Sequence, residues 1–280
     1  MPLQKDVSGR RSVQVEVEVP GTPEEVWEAI ATGPGVSAWF VPTEVEEREG
    51  KPVAVKSNFG PGMESLASVT AWDPPRRFAA DSQDLGPNAP NVATEWIVEA
   101  RSGGTCVVRV VHSLFASTDD WDNQLEGWEH GWPGFFRILR LYLTYFRGQC
   151  SSAFQLGSFV PQAKFEAWVA LTAPLNLAGA SQGEQVRSPA SAPTLAGLVE
   201  RVGQGAYPEE LLLRLEEPTP GIAHLFAMDM GGQVYLSIRL YLYGDAAAEA
   251  VARHEPLWRA WMKERFPAPG EASDVACGGQ

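Results

Sequence analysis

Large apolar side chains recur at steps of three and four residues across residues 119–146, the longest helical pattern in the chain. They are Trp128, Trp132, Phe135, Phe136, Leu139, Leu143 and Phe146. This spacing is typical of a helix with one broad apolar face. Pro133 lies inside the pattern and predicts a bend near Gly131. A helix with such a face needs a second layer of structure to bury it.

The residues before this helix predict an antiparallel meander. Residues 13–19 alternate apolar and polar side chains without a break, which is typical of a half-buried strand. Thr22 and Glu25 form a capping box for a short helix, which Gly33-Pro34-Gly35 is expected to end. A second short helix is predicted for residues 36–40. Further strands are predicted at residues 44–48, 53–59, 65–72, 78–81, 93–100 and 105–114.

The second half repeats the first in weaker form. A Trp, a short apolar turn, Thr and Pro follow one another in both residues 27–34 and residues 168–174. Both halves also contain a Gly-Gly turn before a β-rich run, and residues 245–266 predict a second terminal helix. We therefore predict an α+β protein with domains at residues 12–148 and 153–266. Residues 178–193 are interpreted as a loop and residues 267–280 as a disordered tail.

Charge and apolar patterning exclude several classes of partner. The net charge is −13 and no basic stripe is visible, so nucleic acid is not an expected partner. Anionic membrane surfaces should repel such a chain, and no stretch approaches about 20 apolar residues. Three cysteines without short spacing indicate a reducing compartment, so a cytoplasmic location is predicted. The oligomeric state stays open.

Several short sequence motifs, in a fixed order, resemble those of a known protein family. They are Pro20-Gly21-Thr22-Pro23-Glu24-Glu25-Val26-Trp27, Trp39-Phe40, Val69-Thr70-Ala71-Trp72-Asp73-Pro74-Pro75-Arg76-Arg77-Phe78, Gly103-Gly104-Thr105, Val111-His112-Ser113, Gly127-Trp128 and Gly131-Trp132. This order resembles the SRPBCC superfamily of START-like helix-grip proteins. The branch is similar to the C-terminal domain of heat-shock-protein-90 ATPase activators. The resemblance covers residues 12–148 and extends to the second half through internal similarity.

The resemblance implies two helix-grip modules, each a curved antiparallel sheet wrapped around a long C-terminal helix. It also implies a cavity between sheet and helix that binds apolar small molecules. Aromatic side chains of the first module, Trp121 among them, could line that cavity or simply fill the core. The predicted ligand-binding residues are Trp39, Phe40, Phe59, Trp72, Trp96, His112, Trp128, Trp132 and Phe136.

No constellation of residues carries a clear catalytic or metal-binding signature. His112 is a candidate general base or ligand contact, with a structural histidine as the alternative. Asp119, Asp120 and Asp122 could bind a cation or cap the long helix. The remaining histidines have no zinc spacing, and nucleophile and nucleotide motifs are absent from the sequence. We therefore expect no catalytic residue, metal or cofactor.

Three functions remain open, and the residues favour the first. It is the binding of an apolar small molecule, a lipid or polyketide-like compound, in the cavity of the first module. The second is a polyketide cyclase or dehydratase that uses the same cavity, with His112, Arg109 or Tyr142 converging in it. The third is a protein–protein role like that of the chaperone ATPase activators. The second module is interpreted as a degenerate copy.

Overall fold

The computed structural model describes residues 3–59, 63–84, 89–116, 118–205 and 207–267. Contacts between residues divide the chain into two compact units that meet between Arg147 and Gly148. The predicted domain boundaries, 12–148 and 153–266, stay a proposal. The tail that was predicted to be disordered lies, apart from Pro267, outside the described residues.

The first unit is an eight-stranded antiparallel sheet with three α-helices. Its strands follow the order β1-β2-β8-β7-β6-β5-β4-β3 across the sheet. A π-helical turn, Tyr142–Phe146, directly follows the last helix. The elements are β1 Gln4–Lys5, β2 Arg10–Pro20, α1 Pro23–Ala31, α2 Gly33–Ser37, β3 Thr43–Arg48, β4 Lys51–Asn58, β5 Glu64–Asp73, β6 Arg77–Ser82, β7 Val92–Arg101, β8 Thr105–Phe115 and α3 Asp122–Leu141.

The predicted long helix is present, and its apolar stripe is the buried one. Leu125, Trp132, Phe136 and Leu139 of α3 are buried, and the helix packs against β2. On the sheet, every second residue of β8 from Cys106 to Leu114 is buried, His112 among them. The alternation seen in the sequence therefore selects the sheet face that faces the core.

The acidic cluster before α3 is engaged in ion pairs with basic residues of β1 and β2. The Arg11 guanidinium lies 2.6 Å from Asp119 and 2.5 Å from Asp122, and Lys5 contacts both carboxylates. Hydrogen bonds from Arg11 and Lys5 lower the pKa of Asp119. The capping hypothesis is wrong, because the N-cap residue of α3 is Trp121 and it makes no side-chain cap. Asp122 does lie in the first turn of α3, where a negative charge complements the helix dipole. Within the described ranges, no group of three or more His, Cys, Asp or Glu could hold a metal ion.

The capping box at α1 is confirmed. Glu25 N donates to Thr22 Oγ1 at 3.4 Å, and Thr22 N donates to the Glu25 carboxylate at 2.8 Å. The second short helix begins earlier than the sequence predicted. Thr32 Oγ1 accepts from Gly35 N at 3.0 Å, so the Gly-Pro-Gly segment starts α2 instead of only ending α1.

Replacing Thr22 by Ala is expected to lower the free energy of unfolding of the first unit by about 1 kcal/mol, the usual effect of losing an N-cap side chain. Thr22→Ser keeps the hydroxyl and is expected to stay near wild type. Urea unfolding followed by circular dichroism checks the pair. Equal stability of the Ala and Ser variants would show that the cap contributes nothing.

The second unit is a six-stranded antiparallel sheet with two α-helices. Its strands follow the order β10-β11-β12-β13-β14-β9. The elements are β9 Ser151–Val160, α4 Lys164–Thr172, β10 Gln185–Arg187, β11 Ala196–Val202, β12 Glu210–Glu217, β13 Gly221–Met230, β14 Gln233–Tyr243 and α5 Ala247–Arg265. The α+β class with two sheet-and-helix modules is thus confirmed. The interpretation of residues 178–193 as a loop is wrong at β10, which pairs with β11.

The core of the second unit is formed by the sheet and its terminal helix. Trp258, Trp261 and Met262 of α5 are buried in one cluster with apolar side chains of β12, β13 and β14, such as Leu225 and Ile238. Bulky helix side chains therefore fill this sheet–helix interface. Among the described helices, none is both long and apolar enough to cross a membrane.

Candidate functional site

A cavity of about 590 Å³ lies in the first unit, between the sheet and α3. The sheet contributes residues from β5, β7 and β8, and the loop after α2 contributes Phe40. The described lining consists of Phe40, Phe59, Met63, Glu64, Ser65, Asp84, Val92, Thr94, His112, Gln124, Gly127, Trp128, Gly131, Trp132 and Phe135. This volume is in the usual range for small-molecule sites.

The two ends of the cavity differ in exposure and polarity. Val92, His112 and Trp132 are buried and form its deep end. Phe59 and Met63 are exposed and lie at its mouth. A ligand would therefore meet apolar surface along most of its length and a small polar group at the deep end.

That polar group is a chain of three hydrogen-bonded side chains. Trp132 Nε1 donates to His112 Nε2 at 2.6 Å. His112 Nδ1 and Thr94 Oγ1 lie 2.9 Å apart. β7 and β8 place Thr94 directly opposite His112, while α3 supplies Trp132. Two strands and one helix thus converge on the imidazole.

The indole fixes the protonation state of the histidine. An indole N–H can only donate, so His112 Nε2 must be an unprotonated acceptor. Burial lowers the pKa of His112 to about 4, which keeps the ring neutral at physiological pH. The single ring proton therefore sits on Nδ1 and is donated to Thr94 Oγ1. His112 is consequently a structural imidazole whose two nitrogens are both engaged.

Aromatic rings surround the rest of the cavity. The Phe40 ring stacks on Trp132 at 5.2 Å between centroids and meets Phe135 edge-on at 4.4 Å. Phe59 meets Phe40 edge-on at 5.6 Å. The Trp128 ring lies 4.9 Å from the His112 ring. These faces offer offset-stacked and edge-to-face positions to an aromatic guest.

The structure divides the nine predicted ligand-binding residues into two groups. The five that line the cavity are Phe40, Phe59, His112, Trp128 and Trp132. The four outside the lining are Trp39, Trp72, Trp96 and Phe136. Trp96 and Phe136 lie behind the lining, since their rings contact Trp132 at 5.1 Å and 5.5 Å, whereas Trp72 packs against Trp27 at 5.1 Å.

Several lining residues were missed by the sequence analysis, Thr94 above all. Strand alternation could have identified it, because Thr94 lies two residues before Trp96 and shares its face. Gly127 and Gly131 were also missed as lining residues. Their spacing of four residues on α3 places both on one side of the helix, beside Trp128 and Trp132.

The charged groups at the cavity are acidic. Glu64 and Asp84 belong to the lining and are exposed. Asp84 accepts a hydrogen bond from Ser65 Oγ at 2.8 Å. Among the described lining residues there is no Lys or Arg. A bound carboxylate would therefore find no cationic partner on this described surface.

The polar residues considered for catalysis do not converge. Arg109 forms ion pairs with Glu16 and Glu99, both at 3.1 Å, and lies outside the described lining. Tyr142 is buried in the π-helical turn and is also outside it. Only His112 of the three reaches the cavity, and both of its nitrogens already have partners.

The comparison with protein-family models matches residues 10–137 to the family described as polyketide cyclase / dehydrase and lipid transport. This match confirms the resemblance of the first module to the SRPBCC superfamily. The matched range contains every residue of the cavity lining described above. A comparison of the sequence with curated proteins found no match.

Solved structures similar to the chain include proteins of both one and two modules. BexL, a di-domain ARO/CYC from the BE-7585A biosynthetic pathway, is 14% identical, with a TM-score of 0.43 over 92% of this chain and 99% of BexL. DynU16, from the dynemicin biosynthetic locus, is 21% identical, with a TM-score of 0.39 over 89% and 94%. The Aha1 dimer from Colwellia psychrerythraea is 18% identical, with a TM-score of 0.37 over 48% and 96%.

Proposed function

Since residues 10–137 match the polyketide cyclase / dehydrase and lipid transport family, we propose that the first unit binds an apolar, aromatic-containing small molecule without transforming it. The ligand lies in the cavity between the sheet and α3. The second unit is a degenerate module in this proposal, and the family match does not extend to it.

One observation supports this proposal above the others. The cavity of about 590 Å³ is walled by aromatic side chains, and both ring nitrogens of the histidine at its deep end are already engaged in hydrogen bonds. Burial of apolar ligand surface supplies roughly 25 cal/mol per Å², so a two-ring aromatic guest gains several kcal/mol from this wall. Binding needs nothing more than these groups.

A cyclase or dehydratase activity has weaker support. General base catalysis needs a lone pair within reach of the substrate and a pKa near the working pH. The Nε2 lone pair of His112 accepts from Trp132, and the pKa of His112 is about 4. Nothing in the described residues favours a chaperone-regulating role over ligand binding.

Native mass spectrometry of freshly purified protein tests the proposal first, by looking for a retained small molecule. Titration with a panel of fused-ring aromatics and long-chain apolar compounds follows. We expect at least one aromatic to bind with a Kd in the micromolar range, where ΔG is about −8 kcal/mol. Protein that retains nothing and binds no member of the panel contradicts the proposal.

Gly131→Phe tests the location of the site by blocking the cavity, with Glu126→Phe as its matched control. A Cβ at Gly131 would meet no atom within 4 Å, and the residue lines the cavity, so a larger side chain there takes up ligand space. We expect aromatic binding to weaken at least tenfold. Glu126→Phe adds the same ring on an exposed part of α3 outside the lining and is expected to leave binding unchanged.

A further inference from the structure

We infer that the Thr94 hydroxyl, set in place by Trp132 and His112, donates a hydrogen bond to a carbonyl oxygen of the ligand, and that the ligand carries no negative charge. This inference rests on the proposed function and adds the ligand's functional groups to it. It assigns Thr94 as a specificity-determining residue that contacts the ligand directly.

The direction of the hydrogen bonds follows from donor chemistry. Trp132 Nε1 has a proton and no acceptor lone pair, so it donates to His112 Nε2. The neutral ring then donates from Nδ1, and Thr94 Oγ1 accepts. A hydroxyl that accepts one bond keeps its own proton for another. Within the described part of the chain, Thr94 Oγ1 makes no second hydrogen bond, and the residue lines the cavity.

The position of this proton limits what the ligand presents. Thr94 lies beside buried Val92 and His112, so the available donor is at the deep end. A guest that fills the cavity can place an acceptor oxygen beside this hydroxyl and its apolar surface against the lining rings of Phe40, Trp128 and Phe135. A ligand that places only hydrocarbon there leaves the hydroxyl desolvated and unpaired, which costs affinity.

Charge at the cavity excludes the other common apolar ligand, a fatty-acid carboxylate. Glu64 and Asp84 are the charged residues of the described lining, and both are acidic. His112 cannot supply a positive charge while it accepts from Trp132. A carboxylate would be repelled at the mouth and unpaired at the deep end. A neutral aromatic ketone is not repelled by the acidic residues at the mouth and leaves no unpaired charge at the deep end.

Three probes of nearly equal shape test the inference by equilibrium dialysis at pH 7: 2-acetylnaphthalene, 2-ethylnaphthalene and 2-naphthoate. In Thr94→Val the Kd of the ketone is expected to rise about fivefold, while the Kd of the hydrocarbon stays the same or falls. The readout is the change in the ratio of these two Kd values between wild type and Thr94→Val. The two probes differ in hydrophobicity by the same amount for both proteins, so this difference cancels in the comparison. The naphthoate is expected to bind wild type at least tenfold more weakly than the ketone.

Thr94→Ser is the matched control, because it keeps the hydroxyl and should keep the wild-type ratio of ketone to hydrocarbon affinity. It also keeps the inference testable if the Val variant folds poorly, since Val leaves His112 Nδ1–H without its acceptor. The same ratio in wild type and Thr94→Val overturns the role of Thr94. Naphthoate binding as tight as ketone binding overturns the charge selection. If none of the three probes binds wild type although a member of the wider panel does, the inference fails and the proposed function stands; if no panel member binds either, the proposed function itself fails.

Discussion

Replacing Trp132 by Ala is expected to lower the free energy of unfolding of the first unit by about 4 kcal/mol, in the range found for buried Trp-to-Ala changes. The indole is buried, and its ring centroid lies 5.1 Å from Trp96, 5.2 Å from Phe40 and 5.5 Å from Phe136. Alanine removes these contacts and also leaves His112 Nε2 without its donor.

Trp132→Phe separates the contribution of ring packing from that of the hydrogen bond to His112. It keeps a ring against Phe40 and Trp96 but removes the N–H, so the loss should fall to about 2 kcal/mol, mainly the cost of an unsatisfied buried acceptor. Denaturant-dependent hydrogen exchange of the β7 and β8 amides measures the first unit separately from the second. A Phe variant as stable as wild type would show that the Trp132–His112 hydrogen bond contributes nothing. An Ala variant no worse than Phe would contradict the packing argument.

The periodicity of apolar residues predicted strands and helices correctly where an element buries a single face. The alternation of residues 13–19 predicted β2, and the three-and-four spacing after residue 119 predicted α3, because each pattern reflects one buried face. The signal fails in β12, where Leu211, Leu212 and Leu213 are all buried and no alternation remains. Burial on both faces therefore removed the period that the sequence analysis depended on.

The adjacent residues Trp39 and Phe40 show why only part of the cavity could be predicted. Both are large aromatic residues, and together they form one of the short motifs that carry the family resemblance. Trp39 is fully buried and its Nε1 donates to the Ala29 carbonyl at 2.8 Å, which holds it against α1. Phe40 instead lines the cavity. Residue type alone does not separate these roles, since the direction of each side chain depends on how α1 and α2 pack.

Thr94 was missed for the opposite reason, since its residue type gives no indication of a role in binding. A threonine in a β-rich run is the ordinary consequence of β propensity and draws no attention. Its importance depends on a cross-strand register with His112 and on a helix residue, Trp132, that is far away in sequence. Neither relation is visible in a single sequence without the paired strands. The same holds for His112, whose pKa is set by burial and not by any neighbouring residue in the chain.

That burial leads to the second large prediction, a loss of stability on mild acidification that depends on His112. The pKa of this side chain is about 4 in the folded protein and about 6.5 in an unfolded chain. Above pH 6.5 the neutral ring is present in both states, and its contribution to stability is complete. As the pH falls from 6.5 to 4, the unfolded chain takes up a proton that the folded protein excludes. The contribution of His112 to the free energy of unfolding of the first unit should therefore fall by up to about 3 kcal/mol and level off below pH 4.

His112→Gln is the comparison variant, because an amide can accept from Trp132 and donate to Thr94 but does not titrate. Every other ionisable group is shared, so the difference between the pH slopes of the two proteins isolates the histidine. Between pH 4.5 and 6 the wild-type slope should be steeper by about 1.4 kcal/mol per pH unit, the value for one proton. Urea unfolding across this range, followed through the β7 and β8 amides, gives both slopes. Equal slopes would mean that His112 is protonated in the folded protein, and the hydrogen-bond direction from Trp132 through His112 to Thr94 would then be wrong.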